Sequence, residues 1–219
     1  MKFDTNLTYD TRENKSKYIW EKYQTILKGK ILDVGADECV LKKHLPKDVE
    51  YTGIGLGGSV DIEINLEKEE IPFKKDEFDC VLCLETLEHL DNFHAVFDKL
   101  CSITNKYLVV SLPNPWQSFI NCLNKGNYKG TTLPMKFYNL PIDKPIDRHK
   151  WFYGLHEAEN FLVECGKRNS MKVVQIDRIS PKGIRTFILR SFLSLVVHKD
   201  IKVKDLLDST LWVVLCKEE

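Results

Sequence analysis

The stretch that most constrains the fold of this chain is KILDVGADEC, residues 30–39. A short apolar run leads through Asp33 into Gly35, and a helix-compatible segment follows. This order of strand, glycine turn and helix is what a nucleotide-binding βα unit requires, because glycine allows close backbone approach and a helix start offers free N–H donors. A full glycine fingerprint would also have glycine at Asp37 and Cys39. Two interpretations therefore stay open, a ligand-binding turn and an ordinary βα turn.

Length and charge favour one globular domain over residues 1–219. The chain has 32 acidic and 32 basic residues, and 43% of its residues are hydrophobic, which is enough for a sizeable core. A net charge of zero without a long basic run gives no electrostatic footprint for nonspecific nucleic-acid binding. We therefore expect no nucleic-acid partner, although a local basic patch is compatible with these numbers.

The seven cysteines show no disulfide framework, and the first residues, MKFDTNLTYD, show no secretory leader. These features predict a reducing, cytoplasmic location. Cys80 and Cys83 form a CxxC pair, but they lie in the apolar run 78–84, which is typical of a strand. Residues three apart on a strand point to opposite faces, so this pair cannot chelate one ion. We expect core thiols here and predict no metal site.

Hydrophobic periodicity and turn residues predict alternating strands and helices. We expect strands around Ile31 and at 51–54, 60–64, 78–84, 107–111, 172–176 and 211–215, and helices at 12–28, 40–45, 155–165 and from a cap at Asp91 through Leu100. The apolar segment 187–197 is too short to cross a bilayer, which takes roughly 20 residues. It is predicted to be a core or interface helix, with contact to a membrane surface as the alternative hypothesis.

A long connection between the predicted strand 107–111 and helix 155–165 is rich in proline and aromatic residues. Connections of this length in a compact domain are usually lids or binding loops. We therefore predict that residues 113–153 form a substrate lid.

Four segments together closely resemble the class I S-adenosylmethionine-dependent methyltransferases, particularly the small bacterial type with an LEH segment after the fourth strand. The segments are LDVG at 32–35, VDIEINLEKEEIPF at 60–73, FDCVLCLETLEHL at 78–90 and VVSLPNP at 109–115. The resemblance spans roughly residues 28–180. It implies an α/β, doubly wound, Rossmann-like, seven-stranded, mostly parallel sheet with helices on both faces and an antiparallel last strand. The cofactor, S-adenosyl-L-methionine, is expected above the carboxyl ends of the first strands.

The resemblance also implies a set of cofactor-binding residues: Asp33, Gly35, Ala36, Asp37, Gly55, Asn65, Leu66 and Glu85. Within this set, Asp33 and Gly35 match the acidic residue and glycine that face the methionine part of the cofactor. Asn65 and Leu66 match the pair that meets the adenine, and Glu85 matches a position beside the sulfonium and substrate. Gly55 stands where the family has the acidic residue that binds the ribose hydroxyls, and Asp61 is a candidate replacement for that acid.

Methyl transfer from a sulfonium needs mainly alignment, with a base only where the acceptor must lose a proton, and it demands no metal. The catalytic candidates are Glu88, His89 and His149, and the substrate-binding candidates are Arg148 and Trp151. Each candidate has a structural alternative. Glu88 and His89 would also suit a network that fixes the loop after the fourth strand. His149 and Arg148 would suit the surface, and Trp151 would suit a role in seating the lid.

These observations predict a methyltransferase that acts on a small-molecule or carbohydrate-like acceptor. A non-catalytic binding or scaffold protein with the same fold is the first alternative, because Asp37, Cys39 and Gly55 depart from the family pattern. A nicotinamide-dependent oxidoreductase is the second alternative. It is disfavoured because both its glycine fingerprint and its ribose-binding acid are missing. The oligomeric state cannot be predicted from these residues.

Overall fold

A computed structural model describes residues 2–9, 11–125, 148–181 and 184–218. The strands in these ranges are β1 Lys30–Val34, β2 Glu50–Gly55, β3 Ile62–Glu63, β4 Phe78–Leu84, β5 Thr104–Pro113, β6 Met171–Ile179 and β7 Thr210–Lys217. The α-helices are α1 Arg12–Tyr23, α2 Phe93–Ile103, α3 Pro115–Lys125, α4 Leu155–Arg168, α5 Ile184–Val196 and α6 Val203–Leu207. Two 3₁₀ turns cover Val40–His44 and Leu87–His89.

The seven strands form one sheet in the order β3-β2-β1-β4-β5-β7-β6. The pairs from β3 to β5 are parallel, and β7 runs antiparallel to both β5 and β6. The predicted seven-stranded, mostly parallel sheet with an antiparallel last strand is confirmed. The strand order reverses between β1 and β4, so the carboxyl ends of these two strands flank the switch point where open α/β sheets bind ligands.

The central strands are buried on both faces, as their nearly continuous apolar sequence predicts. On β4, Cys80 faces the core cluster that includes α1, and Cys83 faces the cluster that includes α2 and α4. Both thiols are completely buried, and burial raises the pKa of each above its ordinary value. The two cysteines are therefore core residues on opposite faces of the sheet, as expected for residues three apart on a strand.

Helix α1 is fastened to the far edge of the sheet by a buried ion pair. The Lys22 ammonium lies 2.8 Å from the Asp177 carboxylate of β6 and donates to the Tyr18 hydroxyl at 2.9 Å. The Tyr18 ring also packs edge-on against Trp212 of β7, with 5.1 Å between ring centroids. These contacts fix α1 across the sheet, with its first turn above the carboxyl end of β1.

Several predicted elements differ in detail. Residues 40–44 form a 3₁₀ turn rather than an α-helix, because Pro46 leaves too few residues for a stable α-helical stretch. Strand β3 is only two residues long at the exposed sheet edge. Asp91 is the predicted cap of the next helix, whereas the structure has Asn92 as the N-cap of α2.

The predicted connection 113–153 contains a helix that the sequence interpretation missed. Helix α3 begins at Pro115, which is a favoured residue at a first helical position, and the Asn114 side chain accepts from the Trp116 N–H at 3.1 Å. Residues 126–147 of the predicted lid lie outside the described ranges. The short helix α6 was not predicted either.

Helix α5 lies outside the core clusters. Its apolar side chains are largely exposed, with Phe187 at 69% and Leu195 at 84% exposure. The predicted core position is therefore wrong, and interface and membrane-surface contact stay open. In the described part of the chain, no helix has both the length and the apolar character needed to span a membrane.

Candidate active site

A cleft of about 620 Å³ opens at the carboxyl ends of β1 and β4, at the switch point of the sheet. Its wall combines the glycine turn after β1, the loop after β4, the first turn of α1 and the segment before α4. The cofactor-binding candidates in this wall are Asp33, Gly35, Ala36, Asp37 and Glu85, and all three catalytic candidates are there too. The structure thus brings eight of the predicted site residues together.

The glycine turn keeps a glycine-like backbone even where its residues are not glycine. Gly35 has φ +77°, Asp37 has φ +52° and Cys39 has φ +49°, all in the left-handed region. The N–H groups of Gly35 and Ala36 donate to the Ile54 carbonyl at 2.8 and 3.1 Å. Aspartate is one of the residue types that tolerate left-handed backbone. The turn therefore has left-handed backbone at positions 37 and 39, where a full fingerprint would have glycine.

Gly35 is a position in the turn where any larger residue would force its surroundings to shift. A Cβ atom there would lie 2.2 Å from the Thr86 hydroxyl oxygen, which itself donates to the Val34 carbonyl at 3.1 Å. The loop after β4 is therefore packed directly onto the turn after β1.

Asp33 places a buried carboxylate at the floor of the cleft. Its Oδ2 atom accepts a hydrogen bond from the Tyr51 hydroxyl at 2.7 Å. Burial raises the pKa of Asp33 to about 6, while the Tyr51 hydrogen bond and the Lys15 ammonium act in the opposite direction. Burial and the Asp33 carboxylate raise the pKa of Tyr51, so its hydroxyl stays a neutral donor. At neutral pH the Asp33 carboxylate offers a negative charge to an ammonium group.

The first turn of α1 supplies cleft residues that sequence reasoning missed. The Lys15 ammonium lies 3.0 Å from Glu85 Oε2, and the Tyr9 hydroxyl donates to Glu85 Oε1 at 3.3 Å. Glu85 itself adopts φ +55° directly after β4. Lys15 looks like an ordinary solvated charge in a sequence, and only the position of α1 over the sheet brings it to the cleft. Its proximity to Glu85 is a long-range property that a local sequence pattern cannot reveal.

The three catalytic candidates form one cluster, which we call the Glu88 cluster: Glu88, His89 and His149. Glu88 Oε1 lies 3.7 Å from His89 Nε2 and 4.0 Å from His149 Nε2, and the two imidazole rings meet edge to face at 4.5 Å. The side chains of Glu88 and His149 are 1% and 6% exposed. Two imidazoles and a carboxylate can transfer protons or coordinate a cation.

The segment that carries His149 is joined to the loop after β4 by hydrogen bonds. The Lys150 N–H donates to the Glu88 carbonyl at 2.8 Å, and the Lys150 ammonium lies 2.7 Å from Asp91 and also contacts Glu67. The cluster is therefore assembled from two chain segments about sixty residues apart and held by backbone as well as side-chain contacts.

The remaining cofactor candidates do not line this cleft in the described ranges. A Cβ atom on Gly55 would lie 3.6 Å from the Gly35 Cα atom, so the end of β2 packs against the glycine turn. Asn65 Oδ1 accepts from the Glu67 N–H at 3.0 Å, and Leu66 is buried in the core. Both oxygens of Asp61 are used within the protein, by the Gly53 N–H at 2.8 Å and the Lys42 ammonium at 2.7 Å.

The two substrate candidates also lie outside the cleft wall. The Trp151 indole N–H donates to the Leu90 carbonyl at 2.7 Å, and its ring packs edge-on near Phe93 at 5.9 Å. Trp151 thus seats its segment against α2. Arg148 is half-buried and directly precedes His149 in the chain.

Comparison with known proteins agrees with this architecture. A sequence model of the family described as "Methyltransferase domain" matches residues 9–167, so the chain belongs to this family, and the predicted resemblance is confirmed. No curated protein matches the sequence.

Solved structures share the fold at low sequence identity. A SAM dependent methyltransferase from Archaeoglobus fulgidus has 15% identity and a TM-score of 0.54, over 95% of each chain. Magnesium protoporphyrin IX methyltransferase from Synechocystis PCC 6803, solved with bound SAH, has 12% identity and a TM-score of 0.50, over 97% of this chain and 90% of that one. The small RNA methyltransferase HEN1 has 14% identity and a TM-score of 0.58, over 99% of this chain and 26% of that one.

Proposed function

We propose that the protein transfers a methyl group from S-adenosyl-L-methionine to a small-molecule or carbohydrate-like acceptor. The observation that carries the proposal is the cleft itself. It joins a glycine turn with left-handed backbone, a buried carboxylate at Asp33 and the Glu88 cluster around one volume of about 620 Å³. Membership of the methyltransferase family agrees with this arrangement.

The methionine half of the cofactor suits the charges at the cleft floor. The Asp33 carboxylate is complementary to the cofactor ammonium, and Lys15 is complementary to the cofactor carboxylate.

The other predicted cofactor residues have supporting roles. Gly35, Ala36 and Asp37 bring backbone close to the ligand, and Glu85 holds Lys15 in place at 3.0 Å. Gly55, Asn65 and Leu66 stay predicted contacts for the ribose and adenine.

The acceptor is assigned to the side of the cleft that faces the predicted lid, residues 113–153. Pro113, Ser118 and His149 from the described ends of this segment line the cleft. The exposed rings of Trp116 and Phe152 lie 4.7 Å apart and join these two ends. Arg148, which directly precedes His149, is the candidate partner for an anionic group on the acceptor.

We assign the Glu88 cluster the task of removing the proton from the acceptor's reacting atom. S-adenosylmethionine, when bound, supplies a methyl group on a positively charged sulfur. The acceptor atom bonds to the methyl carbon as the carbon–sulfur bond breaks and its electron pair stays on sulfur. The acceptor's proton leaves through the cluster, in which Glu88 positions both imidazoles.

Ligand titration tests the cofactor assignment against both alternatives. We expect S-adenosylmethionine and S-adenosylhomocysteine to bind the full chain in calorimetry, and NADH to give no heat. If neither of the first two ligands binds at millimolar concentration, the scaffold alternative is favoured. Tight NADH binding would favour the oxidoreductase alternative.

Replacing one imidazole of the cluster tests its catalytic role. We expect His149→Ala to lower turnover by roughly a hundredfold, the usual size of a general acid–base contribution, with little change in cofactor affinity. His156→Ala is the matched control, because His156 lies exposed on α4. Equal turnover in the two variants would remove His149 from the mechanism.

Location and partners are proposed from composition alone. We infer a cytoplasmic protein, given its cysteines and charge balance. The bacterial origin rests on the resemblance, and nucleic acid is not among the proposed acceptors.

A further inference from the structure

We propose that Glu88, His89 and His149 form a divalent metal site at the wall of the cleft. The inference goes beyond the methyl-transfer assignment, since methyl transfer from a sulfonium demands no metal. The three residues offer two imidazole nitrogens and one carboxylate oxygen, and these atoms all lie within 4.8 Å of one another. This donor set, on one side of an ion, leaves the remaining coordination positions open.

The distances suit closure around one small ion. Glu88 Oε1 is 3.7 Å from His89 Nε2 and 4.0 Å from His149 Nε2. At metal–ligand distances of about 2.1 Å, donors lie about 3.4 Å apart in tetrahedral sites and about 3.0 Å apart in adjacent octahedral positions. The two pairs that involve Glu88 would therefore have to approach by about 0.3 to 1.0 Å, depending on the coordination geometry. His89, which is 18% exposed, has the most room to move.

The surroundings fix two of the three ligands firmly. The Glu88 side chain is 1% exposed, and its backbone carbonyl accepts the Lys150 N–H at 2.8 Å, next to His149. Preorganised ligands of this kind lose little freedom on coordination. A buried carboxylate also gains more from a neighbouring cation than an exposed one does, because water screens the pair less.

The donor types select the metal. Mg²⁺ and Ca²⁺ favour shells of oxygen atoms, whereas two imidazoles with one carboxylate suit a first-row transition ion such as Mn²⁺, Fe²⁺, Co²⁺ or Zn²⁺. The open positions face the same cleft as Asp33 and Gly35. With the metal bound, the ion would hold an oxygen atom of the acceptor and lower the pKa of its hydroxyl group, and the proton would leave to water in the cleft, because imidazole nitrogens that hold the metal cannot also accept a proton. This last step rests on the proposed function and narrows the acceptor to one with a hydroxyl group.

Metal binding is measured on the full chain after chelation and dialysis, without cofactor. We expect each chain to bind one Mn²⁺ ion. The binding is measured by the loss of the paramagnetic resonance signal of free Mn²⁺. Co²⁺ should produce visible absorption bands in the same stoichiometry. We expect Glu88→Gln, His89→Ala and His149→Ala each to weaken Mn²⁺ binding by at least about tenfold.

The matched control is His198→Ala. His198 Nδ1 lies 3.2 Å from Asp200 Oδ2 on the exposed surface, so this pair has the same donor types, and it belongs to no group of three candidate ligands in the described ranges. We expect it to bind Mn²⁺ like the unaltered chain. Circular dichroism without metal shows whether each variant folds, and Glu88→Gln keeps the shape of the buried side chain. Absence of Mn²⁺ and Co²⁺ binding at millimolar concentration would overturn the metal site, and so would equal affinity in the three variants and the control.

The outcomes separate the metal site from methyl transfer. If the chain binds S-adenosylmethionine but no Mn²⁺ or Co²⁺, only the metal site is wrong. If it binds Mn²⁺ through the Glu88 cluster but no S-adenosylmethionine, the metal site stands and the methyl-transfer proposal falls.

Discussion

Two regions at the carboxyl ends of the parallel strands, one at the switch point and one towards the β3 edge of the sheet, differ in how firmly they are built. We call the region around Asp33, Gly35 and Glu85 the inner side, and residues 55–66 at the end of β2 and along β3 the outer side. On the inner side, strands β1 and β4 are paired along their length and their loops pack on each other, with Thr86 against Gly35. On the outer side, β3 pairs with β2 through only two residues.

The charges follow the same division. The inner carboxylate of Asp33 is buried and its pKa is raised to about 6, whereas the outer Asp61 forms an exposed pair with Lys42 at 2.7 Å. Buried charges are costly and are retained where they serve a site, while exposed pairs contribute little. We infer that cofactor affinity is concentrated on the inner side and that the outer side tolerates change.

The largest expected effect compares two glycines with the same backbone conformation. Gly35 on the inner side has φ +77° and Gly57 on the outer side has φ +81°. A Cβ atom on Gly35 would lie 2.2 Å from Thr86, whereas one on Gly57 would have nothing within 4 Å. We expect Gly35→Ala to lower the free energy of unfolding by roughly 3 kcal/mol or more, through strain plus overpacking. Gly57→Ala should cost only about 1 kcal/mol, through strain alone. Urea denaturation measures both.

If Gly35→Ala and Gly57→Ala cost the same, the contact between the two inner loops is not what makes the inner side rigid. A loss of S-adenosylmethionine binding in Gly35→Ala, at a temperature where this variant is still folded, would in addition tie the contact to the site.

Sequence patterns predicted the inner side better than the outer side because its constraints are local. The run into Gly35 and the apolar strand 78–84 are each explained by burial and turn geometry over a few residues. The doubly wound, seven-stranded sheet with its antiparallel last strand followed from the resemblance to a known family. The 3₁₀ turn at 40–44 and the shortness of β3 depend on neighbours that the local pattern does not contain.

Long-range contacts set the limits of prediction at the site. His149 and Glu88 are both candidates from the sequence, but only the fold brings them to 4.0 Å, beside the Lys150 hydrogen bond that joins the two distant segments. Lys15 reaches Glu85 only because α1 is fixed across the sheet by the buried pair of Lys22 and Asp177. The sequence likewise does not show that Asp37, at a position where the fingerprint has glycine, has a left-handed backbone.

The next effect concerns pH. The pKa of Asp33 is about 6 in the folded protein and 3.8 ordinarily, so the folded state binds this proton more tightly than the unfolded chain does. The charged carboxylate therefore costs stability above pH 6, and the cost is relieved as the pH falls from 6 towards 4. We expect Asp33→Asn to be more stable than the unaltered protein at pH 8, by up to about 3 kcal/mol, with the difference shrinking through this window.

Cofactor affinity should move in the opposite direction. Protonation of Asp33 removes the charge offered to the cofactor ammonium, so S-adenosylmethionine binding should weaken as the pH falls through about 6. Asp33→Asn should bind weakly at every pH and lose this dependence. Asp61→Asn, on the outer side, is the control and should keep the pH dependence of S-adenosylmethionine binding. Calorimetric titrations between pH 5 and pH 8 measure the affinity of each variant for S-adenosylmethionine. An unchanged pH profile in Asp33→Asn would contradict the assignment of Asp33 to the cofactor ammonium.

The smallest expected effect compares two lysines in ion pairs of similar length. Lys15 lies 3.0 Å from Glu85 on the inner side, and Lys42 lies 2.7 Å from Asp61 on the outer side. Replacing either by Met keeps much of the side-chain length, and each loss should change the free energy of unfolding by at most about 1 kcal/mol. We expect Lys15→Met to weaken S-adenosylmethionine binding by about tenfold, about 1.4 kcal/mol, because it removes the charge complementary to the cofactor carboxylate. Lys42→Met should leave binding unchanged. Equal affinity in the two variants would mean that the cofactor carboxylate is held by other groups and that the inner side owes its affinity to Asp33 and the glycine turn alone.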